Sequence, residues 1–286
     1  MRAAVVDREG QVQLRAEEPT PHLSTCPDAF LSLLDRVRDL GGGRGSFSSV
    51  VVGVPGRVDY IEGRLEYAPN LPADWVDDLT AARLSNHFEA PVFLANDADL
   101  AAVGEAYFGA GRAHDDVVYI TISTGIGAGA VYDGRVFRGT RSLAEVGHTI
   151  IAIEKLLADE PATAEELGSG TALGREATAA GFPSGGEELV AMVREGDQAA
   201  MAVWDRTIRA AGIAIVNLAH ILGPDAIVVG GGMGLNGDLV HEPVRALLAQ
   251  HGPRNPEKPI EVLAAQLADD AGLVGGAAWE LAVGLT

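Results

Sequence analysis

Apolar residues in the first third of the chain fall into short runs punctuated by turn-forming residues. Arg2–Val6 (RAAVV) predicts a strand, Asp7-Arg8-Glu9-Gly10 a hairpin turn and Val12–Arg15 the return strand. Ala29–Leu40 has the spacing of an amphipathic helix, which Gly41-Gly42-Gly43 ends. Ser49–Val54 reads as a buried strand stopped by Pro55-Gly56, and a loop follows through Tyr67-Ala68-Pro69-Asn70-Leu71-Pro72. Asp77–His87 predicts a helix, Val92–Ala95 a short strand and Asp97–Ala106 a helix. Then the pattern restarts. Val117–Ser123 reads as a strand, and Ala130–Tyr132 with Arg135–Arg138 as a hairpin around Asp133-Gly134. Helices are expected at Ala164–Ala180, Gly186–Glu195, Gln198–Leu222 and Leu239–Gln250, with a strand at Ala226–Val229 between the last two. Ile260–Ala264 is a further strand and Ala271–Val283 a closing helix. A hairpin followed by alternating strands and helices thus occurs twice. That predicts two α/β domains of related architecture with a cleft between them and a hinge near Gly109–Arg112.

Composition narrows the partners. The 286 residues carry 21 Lys+Arg against 40 Asp+Glu, a net charge of −19, so nucleic acid and anionic membrane are poor main partners. The 47% hydrophobic content supports a real core, and 36 glycines imply many tight turns or backbone close to a ligand. A single cysteine, Cys26, excludes an internal disulfide and any thiolate metal cluster. No apolar run reaches the roughly 18 residues of a membrane span, and MRAAVVDREG lacks the apolar stretch of a signal peptide. A cytoplasmic location is expected.

Four segments could carry chemistry. In Thr121-Ile122-Ser123-Thr124-Gly125-Ile126-Gly127-Ala128-Gly129, a strand runs into alternate glycines with a hydroxyl before them. Such glycines let backbone N–H groups approach a phosphate, and Thr124 can add a donor; a Gly-rich bend packed on another backbone is the plainer reading. The segment contains G-x-G-x-x-A, but a hairpin follows where a dinucleotide site needs a helix. In Ala226–Gly237 a strand enters a glycine loop before a helix, and Gly232-x-Gly234-x-x-Gly237 matches the dinucleotide fingerprint in a suitable context. Gly231 and Gly232 could equally offer a flat surface to adenosine. Asn96-Asp97 closes a strand and opens a helix; Asp97 is either a helix cap or a carboxylate that deprotonates a hydroxyl. Glu145-Val146-Gly147-His148 has half the spacing of a di-iron motif without a second copy, and its Glu and His could instead hold vicinal hydroxyls. G-x-x-x-x-G-K-[ST], G-x-S-x-G and zinc-type Cys/His spacings are absent.

Taken in order, these pieces resemble the ROK (repressor, open reading frame, kinase) family, in its sugar-kinase branch of bacterial glucokinases. Pro55-Gly56 and Ala68-Pro69-Asn70-Leu71-Pro72 with Trp75 are similar to its sugar loop, Asn96-Asp97-Ala98 to its catalytic N-D-A, and Ser123–Gly127 to its second phosphate loop. Ala144–His148 resembles its A-G-E-x-G-H, Asn217 through Gly232 its adenosine segment, and Asp269–Leu273 its C-terminal signature. The resemblance implies an α/β, two-domain actin/hexokinase/Hsp70-like (ribonuclease H-like) fold with an interdomain cleft. The domains would be residues 1–112, completed by helix 271–286, and residues 113–270. It implies an ATP- and Mg²⁺-dependent kinase of a hexose or N-acetylhexosamine, and a homodimer. Asp97 would be the general base; Asn70, Asn96, Glu145, His148 and Glu165 would hold sugar hydroxyls; Thr124, Gly125 and Gly127 would sit at the phosphates, and Gly231 and Gly232 at adenosine.

The sequence departs from that pattern twice. Between His148 and Glu165 lies the cysteine-free TIIAIEKLLADEPATA, where the family has a C-x-C-G-x-x-G-C cluster, so no structural zinc is expected and His148 keeps at most a sugar role. The family's first strand and D-x-G-G-T phosphate loop also have no counterpart; Arg2–Gly10 matches the strand and turn that follow them. Loss of an internal strand leaves its neighbours about 9–10 Å apart, so either Arg2–Val6 moves inward or the sheet is broken. Loss of a phosphate loop is worth a factor of about 10³ in rate, so the chain should bind sugar but phosphorylate poorly. A catalytically inactive sugar sensor, akin to the family's regulators without a DNA-binding domain, is the alternative. A dinucleotide oxidoreductase rests only on the Gly232 fingerprint.

Overall fold

The computed structural model describes residues 1–20, 26–43, 46–68, 71, 73–140, 145–182 and 186–285. Strands β1 (Arg2–Val6) and β2 (Val12–Glu17) form an antiparallel hairpin. The Asp7 carboxylate closes its turn by accepting the N–H groups of Glu9 and Gln11, at 3.1 and 2.8 Å. Helix α1 (Cys26–Leu40) buries Leu33 and Val37 with Ala3. β3 (Val50–Val54) leads to β4 (Arg57–Asp59) and β5 (Arg64–Tyr67), an antiparallel pair where the sequence suggested only loop. The expected helix over 77–87 is two, α2 (Ala73–Asp78) and α3 (Ala81–Phe88). They are separated by Thr80, whose hydroxyl caps α3 by accepting the Arg83 N–H. β6 (Val92–Asn96) runs parallel to β3 and passes directly into α4 (Asp97–Tyr107).

The second pass begins with β7 (Asp116–Ile122), β8 (Ile126–Tyr132) and β9 (Arg135–Val136). A 3₁₀ turn (Glu145–His148) and a short helix, α5 (Ile153–Leu157), precede α6 (Ala164–Gly168) and α7 (Gly170–Ala179). The latter two were expected as one helix. Ser169 divides them, ending α6 and capping α7 through the Ala172 N–H at 3.2 Å. α8 (Gly186–Glu195), α9 (Gln198–Leu222), β10 (Ala226–Gly230), the single turn α10 (Gly231–Gly234), α11 (Asp238–His251), β11 (Glu261–Ala264) and α12 (Ala271–Ala282) complete the chain.

β11, β10, β7, β8 and β9 make one five-stranded sheet in that order, parallel from β11 to β7. The first-domain strands behave differently. β1–β2, β3–β6 and β4–β5 are separate two-stranded pieces, and no ladder joins β1 to β3 among the described residues. Of the two outcomes expected from the missing strand, the broken sheet is the one observed. Helix α12 packs against both β1 and β3, so one helix underlies both pieces.

The chain divides into two compact units: residues 1–113, 129–143 and 269–286 in the first, and residues 114–128 and 144–268 in the second. Residues 129–143, placed with the second domain by the sequence, lie in the first unit. Gly129 accounts for this: a Cβ there would lie 2.7 Å from the Ala98 carbonyl and 2.9 Å from Asp99 Cα, so β8 rests directly on the start of α4. Among the described residues no helix is long and apolar enough to cross a membrane.

Candidate active site

In the first unit the chemistry gathers where β6 becomes α4. Asn96 is the helix cap; Asp97 is the first helical residue. The Asn96 side-chain oxygen accepts the N–H groups of Ala98 and Asp99 (2.9 and 3.3 Å), and its amide donates to the Gly56 carbonyl at 2.8 Å. The capping role open to Asp97 is therefore filled by its neighbour, and Asp97 itself is exposed, its carboxylate accepting the Ala98 N–H at 2.9 Å. Asn96 is buried, and its side chain holds the turn.

Behind the turn lies a polar network. The Tyr60 hydroxyl donates to Asp99 Oδ2 at 2.5 Å and accepts the Asn96 backbone N–H at 3.1 Å. Tyr60 is itself placed by Asp59, which accepts the N–H groups of Ile61 and Glu62 at 3.0 Å, and by its own N–H bond to the Thr140 carbonyl at 2.9 Å. The Arg138 guanidinium lies 4.7 Å from the centre of the Tyr60 ring. Burial pushes the Asp99 carboxyl up to about 7; the bond from Tyr60 and the charge of Arg138 oppose that rise, and the Asp97 charge adds to it. Burial, with the nearby Asp99, likewise raises the Tyr60 hydroxyl, which remains a donor.

In the second unit a carboxylate joins two of the segments singled out in the sequence. Glu165, on α6, accepts the Ile126 N–H at 2.8 Å. A Cβ at Gly125 would lie 2.3 Å from Glu165 Oε2, and one at Gly147 would lie 2.3 Å from the Ile126 carbonyl and 3.2 Å from Glu165 Cβ. Gly147 in particular has no room for a side chain against the Ile126 backbone, which lets the 3₁₀ turn, the glycine-rich strand and Glu165 meet. On that turn, exposed Glu145 and His148 face each other at 3.4 Å. The cysteine-free stretch before Glu165 is tied down by backbone bonds from Ile151 to Ala162 and from Ala164 to Thr149, both 2.9 Å. A Thr163–Glu166 capping box then starts α6.

The two glycine segments also lie together. The Gly170 N–H donates to the Ser123 carbonyl at 2.6 Å, and the Thr171 hydroxyl to the Thr124 carbonyl at 2.7 Å, fixing the turn that exposes Thr124. Gly127 follows within β8, half-buried. Gly231 has φ +83°, and a Cβ there would lie 2.5 Å from Thr121 Oγ1 and 2.6 Å from the Ile122 carbonyl, so the loop after β10 rests on the end of β7. Beside it opens a cavity of about 470 Å³, lined among others by Ser123, Gly170, Glu187, Arg194, Gly232 and Asn236. That size suits a small ligand such as a nucleoside. Arg194 donates to the Asn236 side chain at 3.2 Å, and Asn236 donates to the Gly232 and Met233 carbonyls at 3.2 and 2.9 Å.

The structure thus gathers Glu145, His148, Glu165, Thr124, Gly125, Gly231 and Gly232 in the second unit, and holds Asn96 and Asp97 in the first. Asn70 lies outside the described residues. Sequence reasoning missed Tyr60, Asp99, Arg194 and Asn236. Asp99 is two residues beyond Asp97 and could have drawn attention as a second acid on one helix start. Tyr60 carries no local signal.

Comparison with known proteins places the whole chain. The model of the ROK family matches residues 1–282. A glucokinase of Streptomyces coelicolor is 32% identical over 299 residues, covering 96% of this chain and 92% of that protein. The crystal structure of a ROK family glucokinase from Streptomyces griseus in complex with glucose and AMPPNP is 32% identical, with a TM-score of 0.78 over 96% of this chain and 93% of that one. The ROK hexokinase of Thermus thermophilus is 29% identical, with a TM-score of 0.79 and full coverage of both chains. The fold is the α/β, actin/hexokinase-like fold of those kinases, and the chain belongs to the ROK family.

Proposed function

We propose that the chain is an ATP-dependent sugar kinase acting on a hexose or N-acetylhexosamine, with glucose the first candidate. The observation that carries this is Glu165, which binds the backbone of the phosphate-loop segment at Ile126 while lying against the Glu145–His148 turn. Groups suited to sugar hydroxyls and groups suited to phosphates are thereby built into one assembly. The S. griseus relative, at 32% identity, was crystallised with glucose and AMPPNP.

In this reading Glu145, His148 and Glu165 hold sugar hydroxyls, and Asn70 is assigned to the same duty. Asn96 holds the turn and is assigned to a sugar hydroxyl as well. Asp97 takes the proton of the attacking hydroxyl as its oxygen bonds to the γ-phosphorus and the bond to the β-phosphate oxygen breaks, releasing ADP. Thr124, Gly125 and Gly127 face the phosphates, and the cavity bordered by Gly232, Arg194 and Asn236 takes the adenosine. Magnesium enters with the nucleotide as part of the substrate; it needs only one or two protein carboxylates and otherwise phosphate and water. Among the described residues the first-unit strands form separate pairs, so the rate of transfer is the quantity to measure.

The same broken sheet supports the alternative of a catalytically silent sugar sensor. A coupled ADP-release assay over a hexose panel, run beside calorimetric sugar titration, separates the two. Slow but saturable ADP release with one sugar supports the kinase; tight sugar binding with no sugar-dependent ADP supports the sensor; neither binding nor release removes both. A cytoplasmic homodimer belongs to the same reading, and light scattering at twice the 29.7 kDa chain mass is the expected result.

A further inference from the structure

We propose that Tyr60 and Asp99 are positioning residues for Asp97: a half-buried hydroxyl on a buried carboxyl that fixes the turn carrying the base and, through the charge on Asp99, sets how strongly Asp97 accepts a proton. This rests on Asp97 being the base. Three features of the first unit support it. The pair touches the turn directly, because the Tyr60 oxygen that donates to Asp99 also accepts the Asn96 N–H. Asp99 is sealed beneath a half-buried Tyr60: it is only 1% exposed, so its charge acts through protein rather than water. The pair is also held from several sides. Asp59 and the Thr140 carbonyl fix Tyr60, the Trp279 ring of α12 lies 6.0 Å from the Tyr60 ring, and β8 meets the Asp99 backbone at Gly129.

The ionisable groups that face Asp99 are Tyr60 from the segment after β4, Asp97 from its own helix and Arg138 from the segment after β9. Asp97 and Asp99 carry like charges two residues apart, and their repulsion is mutual. An ionised Asp99 therefore strengthens Asp97 as a proton acceptor. A protonated Asp99 removes that help while still able to hydrogen-bond Tyr60.

The test compares the full chain with Asp99→Asn, which keeps an acceptor for the Tyr60 hydroxyl, and Tyr60→Phe, which deletes the hydroxyl. Two readouts are taken: the pH dependence of kcat and glucose KM, and the ¹³C titration of the Asp97 carboxyl in chain labelled at aspartate, assigned by its loss in Asp97→Asn. The expected result is an inflection in the Asp97 titration and a rise in kcat, both near pH 7, and both abolished in Asp99→Asn with glucose KM within about twofold. Tyr60→Phe lowers kcat about tenfold, again sparing KM. An Asp97 titration that is the same in the parent and in Asp99→Asn overturns the proposal, even if both variants lose activity through misfolding or the parent turns over too slowly to follow. Failure of the base assignment shows separately, as full turnover in Asp97→Asn.

Discussion

Two of the candidate turns that follow a strand, β6–α4 and β10–α10, are built on opposite principles. At β6–α4 side chains do the holding: Asn96 satisfies the helix start, and Tyr60 bonded to the buried Asp99 stands behind it. At β10–α10 there is no side-chain cap; Gly230, Gly231 and Gly232 let the backbone lie on the end of β7. The first turn presents one carboxylate with a charge that neighbours can tune. The second presents a backbone surface without a side-chain cap. A group that must exchange a proton calls for the former, and a surface for phosphate and adenosine calls for the latter.

That contrast predicts different failure modes. The largest effect concerns pH. Because the folded Asp99 carboxyl is raised to about 7 from 3.8, the native state keeps its proton longer than the unfolded chain. Its contribution to stability therefore falls as pH rises from 4 to 7, at up to about 1.36 kcal/mol per unit. Denaturant titrations at pH 4.5 and 7.5 should show this loss in the parent and not in Asp99→Asn, and hydrogen exchange should place the loosening at α4 and not at the glycine loop. Equal pH slopes in the two proteins would erase the distinction.

Gly231→Ala should do the reverse. A Cβ at φ +83° with backbone 2.6 Å away must shift the loop, at roughly 1–3 kcal/mol. Nucleotide affinity, followed by thermal protection with AMPPNP, should fall about tenfold while glucose binding holds. Asn96→Ala is the mildest of the three. Loss of the cap costs about 1 kcal/mol, and turnover should fall with Asp97 still in place. A melting temperature unchanged by Asn96→Ala would mean that Tyr60 alone holds the turn.

How much of this was legible in sequence follows the range of the interactions. Strands and helices with local signals came through: the Asp7–Gly10 turn, the 198–222 helix and the passage from 226–230 into glycines all lie where periodicity puts them. The breaks at Thr80 and Ser169 did not, because apolar spacing continues across them while a single hydroxyl ends one helix and starts the next. The β4–β5 hairpin was hidden by its brevity and by Pro55-Gly56 before it. Asn96-Asp97 and Ser123–Gly127 stood out as candidates because their residues are contiguous in sequence. Tyr60 could not, since its role depends on a contact with Asp99 across 39 residues of sequence. Gly129 tied β8 to α4 through a close approach that no spacing rule reports.

The most direct measurement is single-turnover phosphorylation by Asp97→Asn beside calorimetric glucose titration. Substitution of a general base should lower the phosphorylation rate by about two decades or more relative to the parent chain, with glucose affinity changed by less than about threefold. Phosphorylation at the parent rate, with glucose still bound, would contradict the assignment of Asp97 as the group that activates the sugar hydroxyl.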